Sequence, residues 1–174
     1  RYITAEDVGT SIKDMDHVRM ETKYVTGISK SLGGSGDPSL LTSFGTYLGI
    51  KASVKFKYKK DSLDGLSIVV QGLGSVGMEL VKYLSQDGMK IFAYDIDSER
   101  LSLAKEEYGI MPIGEDEVYD QDVDIYAPCA LGATINDETI PRLKCNIIAG
   151  AANNVLKNPD MHAKELLRRG ILYA

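Results

Sequence analysis

Leu66 to Val70 is a short apolar run rich in β-branched residues and bounded by Gly65 and Gly72, which predicts a strand buried on both faces, as parallel strands are. A glycine-rich turn and a stretch of helical period follow, and a second apolar run, Ile91 to Tyr94, ends on an acid, Asp95. The alternation continues. Ser98 caps a helix over 99–108 that Gly109 ends, and Ile110 to Ile113 forms a third strand. The acid-rich stretch 114–122 lies at the surface. Val123 to Ala127 is a fourth strand, Ile140 to Leu143 a short helical stretch, and Asn146 to Gly150 a fifth strand. A helix over 161–169 and a sixth strand, Ile171 to Tyr173, close the chain. Strand and helix in strict alternation predict an α/β fold: a doubly wound parallel sheet of the Rossmann type with helices on both faces.

The first third of the chain breaks that rhythm. An extended run, 1–7, meets a helix over 8–20 whose inner face carries Ile12, Met15 and Met20, with Lys13, Asp14 and Asp16 turned to solvent. This piece holds too little apolar material to fold alone, and a chain opening on an unpartnered strand implies a further segment upstream. Three glycines and an Asp-Pro turn between Gly33 and Ser39 read as a linker. The expected division is a small first piece (1–33), a hinge (34–38) and a larger domain (39–174). The helix after the hinge, Ser39 to Lys57, carries Leu41, Phe44, Leu48 and Val54 as a packing stripe, with Gly45 and Gly49 allowing a neighbour to approach closely.

Composition narrows the partners. With 174 residues, a net charge of -5 and a pI near 5.1, the chain lacks the basic excess of a nucleic-acid binder. Lys55, Lys57, Lys59 and Lys60, followed by Asp61 and Asp64, read as a solvated helix end. Cys129 and Cys145 have no metal-type spacing and sit beside apolar runs as small core residues, so no metal is expected. No apolar stretch reaches the length of a membrane helix, and the expected location is cytoplasmic. His17 and His162 fall on helices among charged neighbours, which predicts solvent-facing rings without a role.

The turn carries the chemistry. Gly72, Gly74 and Gly77 have G-x-G-x-x-G spacing, and each glycine has its own task. Gly72 allows the tight bend, Gly74 lets a diphosphate approach the backbone, and Gly77 lets the helix lie close on the strand. Leu73, Ser75 and Val76 complete the turn and open a helix whose free N–H groups face the phosphates. Asp95 stands where an acid accepts hydrogen bonds from the adenosine ribose. It would repel a 2′-phosphate, and neighbouring Ile96 and Asp97 offer no cation to receive one, so NAD is the expected cofactor. The exits of the fourth strand, Cys129-Ala130-Leu131, and of the fifth, Ala151 with Asn153 and Asn154, fall on the same sheet edge. Thr42 reads either as a contact for the nicotinamide carboxamide or as an ordinary helix-surface threonine, and Asp7, an acid at a helix start, reads by itself as a cap. A domain of this pattern also suits a stand-alone NAD(H)-sensing module without catalysis.

Longer stretches carry a resemblance. YITAEDVGT (Tyr2 to Thr10), YVTGIS (Tyr24 to Ser29), Asp37-Pro38-Ser39 with Thr42, the glycine turn, IYAPCALGATIND (Ile125 to Asp137) and GAANNVL (Gly150 to Leu156) resemble the leucine, valine and phenylalanine dehydrogenase family. The resemblance implies a two-domain enzyme that oxidatively deaminates an L-amino acid with NAD to a 2-oxo acid and ammonium, with 1–33 a remnant of its substrate domain and 39–174 its dinucleotide-binding domain. On it, Asp7 matches the acid that works with a lysine in proton transfer, Thr42 the nicotinamide contact and Asn154 an amide lining the reaction site. The family's two lysines lie upstream of Arg1 and its chain continues past Ala174, which implies that these residues bind NAD(H) without turnover. AEDVGT and YVTGIS lean toward leucine as substrate, while the paired asparagines lean toward phenylalanine. Family members are homo-oligomers assembled through the other domain, so these residues alone are expected as a monomer or weak dimer.

Overall fold

The computed structural model describes residues 2–7 and 9–174. It divides into two compact units, residues 1–41 and 42–174.

In the first unit, α1 (Ile12–Glu21) starts at Ser11, whose hydroxyl and backbone N–H close a capping box with Asp14. The start expected at Val8 lies outside the described residues. Met15 packs with Val25 and Ile28 in a small core, but Met20 is 73% exposed and leaves the expected inner face. Asp16 is half-buried rather than solvent-facing, since its carboxylate accepts the Ser29 N–H at 2.8 Å. Two parallel-type backbone bonds tie Thr4 to the chain at Tyr24 and Thr26.

The second unit is built on six parallel strands: β1 (Ser67–Gln71), β2 (Lys90–Tyr94), β3 (Met111–Pro112), β4 (Ile125–Pro128), β5 (Ile147–Ile148) and β6 (Leu172–Tyr173). Their order is β3-β2-β1-β4-β5-β6, every neighbouring pair parallel, as in two βαβ halves that diverge from β1 and β4. Strand ends differ from the sequence reading by a residue or two, as fraying ends do.

Period-two alternation sorts the strands into two cores. Ile68 and Val70, Ile91 and Ala93, Ile125 and Ala127, and Ile147 and Ala149 face one side. There they meet α2 (Ser39–Tyr58) through Ile50 and Val54, and α3 (Ser75–Gln86) through Leu80, Val81 and Leu84. The helix α4 (Ser98–Tyr108) joins this layer through Ala104. Val69, Tyr126 and Ile148 face the other side, covered by α5 (Pro159–Arg168) through Leu166 and by Val118, Ile135, Ile140 and Leu156 from the connections. Helical cover on both faces follows because each strand is apolar on both. The Asp124 carboxylate ties β1 to the entry of β4 by accepting the Ser67 N–H at 2.9 Å, the Ser67 hydroxyl at 3.0 Å and the Tyr58 hydroxyl at 3.1 Å.

Three sequence expectations fail on helices. The buried stripe of α2 runs through Ser43, Ile50, Ser53 and Val54, whereas Leu41, Phe44 and Leu48 are 76%, 44% and 48% exposed. An added Cβ at Gly45 or Gly49 would meet nothing within 4 Å, so these glycines open a surface instead of admitting a neighbour. The cap of α4 is Asp97 rather than Ser98, with Asp97 Oδ1 accepting the N–H groups of Glu99 at 2.9 Å and Arg100 at 3.3 Å. A carboxylate at that end also meets the positive pole of the helix, which a hydroxyl cannot exploit. The lysine run is solvated as read at Lys55, which pairs with Asp61 at 2.7 Å among exposed side chains, whereas Lys57 is half-buried and donates to the Gly170 carbonyl at 2.6 Å.

Candidate functional site

The turn after β1 is held from three sides. Gly72 has φ +100°, a conformation that favours glycine, and a Cβ there would stand 2.8 Å from the Ala130 Cβ on the exit of β4. A Cβ on Gly77 would stand 1.9 Å from the Gly72 carbonyl oxygen, so only glycine lets α3 start this close to the strand it follows. Asp95, at the exit of β2, lies against the bend: its Oδ2 accepts the Leu73 N–H at 2.5 Å and its Oδ1 the Asp97 N–H at 2.8 Å. Each oxygen thus spends one acceptor site on the backbone and keeps another for a hydroxyl.

Gly74 differs from its two companions. The one atom within 4 Å of an added Cβ, apart from chain neighbours, is Nη1 of Arg100 at 3.9 Å. Protein packing therefore does not require glycine at 74, and the face of the turn beside it is open. Gly74 is the N-cap of α3, no side chain caps that helix, and its first N–H groups are left for another acceptor. The residues present fit a dinucleotide's diphosphate and ribose. Leu73, expected among the cofactor contacts, turns its side chain into the core, where it is 1% exposed, and gives its N–H to Asp95. Ser75 is exposed and Val76 half-buried on the first turn of α3, and Ile96, 92% exposed, projects beside Asp95.

The other strand exits meet on the same edge. Cys129 donates its N–H to the Gln71 carbonyl at 2.8 Å, which sets the β4 exit beside the glycine turn. The N–H groups of Ala151 and Ala152 both donate to the Pro128 carbonyl at 2.9 Å, and a Cβ on Gly150 would stand 2.2 Å from that oxygen. The loop through Leu131, which is 72% exposed, folds onto Asn153 and Asn154: Ala133 N–H donates to the Asn154 carbonyl at 2.8 Å, and an added Cβ on Gly132 would meet the Asn153 oxygen at 2.7 Å. Asn154 has φ +50°, a conformation asparagine tolerates better than other side chains, and both amides are exposed. Thr42 shares a cleft of about 360 Å³ with Gly45, Gly49, Ala149 and Gly150, at the end of β5. Asp7 belongs to the first unit, where its carbonyl accepts the Thr10 N–H at 2.9 Å and hydroxyl at 2.7 Å.

No protein-family model matches the chain. It is 51% identical over all 174 residues to the leucine dehydrogenase of Thermoactinomyces intermedius and 50% identical to that of Bacillus subtilis strain 168. The chain belongs to the amino-acid dehydrogenase family. It spans about half the length of the curated relatives it matches, 47% and 48% of these two. The crystal structure of L-tryptophan dehydrogenase from Nostoc punctiforme superposes with a TM-score of 0.84 and 41% identity over 99% of this chain and 48% of that one. A hetero-hexameric glutamate dehydrogenase from Thermus thermophilus, at 22% identity and a TM-score of 0.75, shares the fold.

Several residues around the family's strand exits escaped the sequence reading. Gln71, the last residue before the turn, accepts the buried Tyr126 hydroxyl and donates to the Tyr119 hydroxyl at 3.3 Å, which pins the end of β1 from the far side. Burial holds the Tyr126 phenol well above its ordinary range, so it stays a donor. Burial likewise pushes the Cys129 thiol up to about 11 and Cys145 up to about 12; Cys145 is a core residue as expected, whereas Cys129 is only partly buried at the β4 exit. His162 overturns its expectation: it is 3% exposed, its Nδ1 accepts the Asn158 N–H at 3.1 Å, and Nε2 lies 3.4 Å from Asp137. It faces inward with Leu166, one helical turn on, and borders a cleft of about 450 Å³ that shares no residue with the glycine turn. Arg100 lies five residues past Asp95, on the first turn of α4 and beyond the neighbouring Ile96 and Asp97. The Asp97–Arg100 spacing of i,i+3 was the available signal. Among the described residues no helix is long and apolar enough to cross a membrane, and no cluster of three acidic, histidine or cysteine side chains could hold a metal.

Proposed function

We propose that residues 39–174 bind NAD(H) for an enzyme that oxidatively deaminates a branched-chain L-amino acid, leucine foremost, to its 2-oxo acid and ammonium. The observation that carries this is Asp95 hydrogen-bonded across the glycine turn in a chain half identical to leucine dehydrogenases. In this reading the bound nicotinamide accepts a hydride from the substrate's α-carbon. The N–H groups of Ser75, Val76 and Gly77 receive the diphosphate, and the free acceptor sites of Asp95 take the ribose hydroxyls. Thr42 holds the carboxamide, and the exits at Cys129, Ala130, Leu131, Ala151, Asn153 and Asn154 wall the ring. Asp7, on residues 1–33 of a substrate domain joined through a hinge at 34–38, manages a proton during imine formation and hydrolysis.

Two measurements test the reading. Titration with NADH should quench or shift nicotinamide fluorescence on binding to the 174-residue chain, while leucine, valine and phenylalanine give no turnover until a catalytic lysine is supplied by a longer protein. Absence of NADH binding refutes the cofactor assignment, and brisk turnover by these residues alone refutes the division of labour. Gly74→Val separates ligand space from protein packing. The melting temperature should change by no more than about 2 °C, because the site is open, while NADH affinity falls about 30-fold from crowding at the diphosphate. Undiminished affinity would place the diphosphate elsewhere.

A further inference from the structure

We propose that Arg100 is a cofactor-binding residue whose guanidinium meets the dinucleotide's diphosphate opposite the backbone of the glycine turn, an inference that rests on the dinucleotide reading above.

The geometry begins with the open side of Gly74. The nearest group across that opening is Nη1 of Arg100, 3.9 Å from where a Cβ would stand, so the guanidinium borders the open space over the Gly74 backbone. The side chain is also aimed: Asp97 Oδ2 holds Nε at 3.2 Å, leaving the terminal nitrogens to donate. Asp97 is itself held, because its N–H donates to Asp95 at 2.8 Å and its Oδ1 caps α4. The ribose acceptor, the helix cap and the cation therefore form one connected rim around the turn.

Charge and helix position point the same way. Asp95, Asp97 and Glu99 crowd the rim with carboxylates that would repel a diphosphate, and Arg100 is the cation set among them. A cation on the first turn of a helix faces the positive pole and is unfavourable there. Its exposed ion pair with Asp97 offsets little of that, so helix stability does not explain an arginine here. A planar guanidinium suited to bidentate phosphate contact does. The same chemistry could serve a 2′-phosphate, but the carboxylate of Asp95 stands where that group would lie, which favours the diphosphate.

The test compares Arg100→Gln and Arg100→Lys with the parent protein by calorimetric titration with NADH, ADP, adenosine and NADPH at two salt concentrations. Arg100→Gln should weaken NADH and ADP by about tenfold at low salt, with adenosine unchanged, and the difference should shrink at high salt. Arg100→Lys should recover part of the loss, since it keeps the charge and loses the fork. Equal affinity of the variant and parent for NADH overturns the inference and leaves the dinucleotide reading standing. A loss confined to NADPH assigns the guanidinium to a 2′-phosphate, and an equal loss with adenosine assigns it to packing; either overturns the inference. A parent protein that fails to bind NADH overturns both.

Discussion

Gly77→Ala is expected to destabilise the second unit by about 3 kcal/mol, or roughly 10 °C in melting temperature for a chain of this size, and to weaken NADH binding with it. The added methyl would stand 1.9 Å from the Gly72 carbonyl oxygen and 3.0 Å from its carbon, both backbone. No side chain can swing aside to relieve that contact. Relief requires α3 to move away from β1, and Leu80, Val81 and Leu84, each fully buried, would move with it. Moving the helix would also take its first N–H groups away from the proposed diphosphate position and the Leu73 N–H off Asp95, so stability and affinity should fall together. Thermal melts and NADH titration of the same preparation check both. A variant that melts and binds as the parent does would mean that the turn is wider than the structure has it. The contrast with Gly74→Val is the sharper reading, because of two glycines three positions apart only Gly77 is required by the protein's own packing, and the proposed dinucleotide is what would require Gly74.

Asp95→Ala should weaken NADH by about 100-fold, near 2.7 kcal/mol, while NADPH loses far less. Two effects add. The ribose loses charge-assisted acceptors for its hydroxyls, and the glycine turn loses the 2.5 Å bond that holds the Leu73 N–H. Removing the carboxylate also removes the repulsion toward a 2′-phosphate, so the preference for NADH over NADPH should collapse. Calorimetric titration with both cofactors reads this directly. A variant that binds NADH within twofold of the parent would sink the ribose assignment. Asp95→Asn divides the two effects: an amide oxygen can still accept the Leu73 N–H, so the fold at the turn should survive while much of the affinity loss remains.

Local signals carried the architecture well. The runs around Ile68, Ile91, Ile125 and Ile147 are strands because each is short, apolar and bounded by turn residues, and all four lie at or under 3% exposure. The glycine spacing, the acid after the second strand and the strand exits all fall on one edge, as alternating strand and helix requires. Helix faces were read less well. Leu41, Phe44 and Leu48 share a face of α2, but the sheet meets the face of Ser43, Ile50 and Val54 instead. In α5 the charged neighbours of His162 suggested solvent, yet those neighbours occupy the other sides of the helix while His162 and Leu166 point inward.

What the chain order alone determined was the fold and the glycine turn, because period, strand length and glycine requirement are properties of residues near one another. What the tertiary structure decided was which helix face is covered, that Asp97 rather than Ser98 caps α4, that Tyr126 reaches Gln71, and that Arg100 turns back toward Gly74. Those outcomes depend on contacts between segments far apart in the sequence. A periodic pattern states that a helix has sides, but only the packing of its neighbours states which side they take.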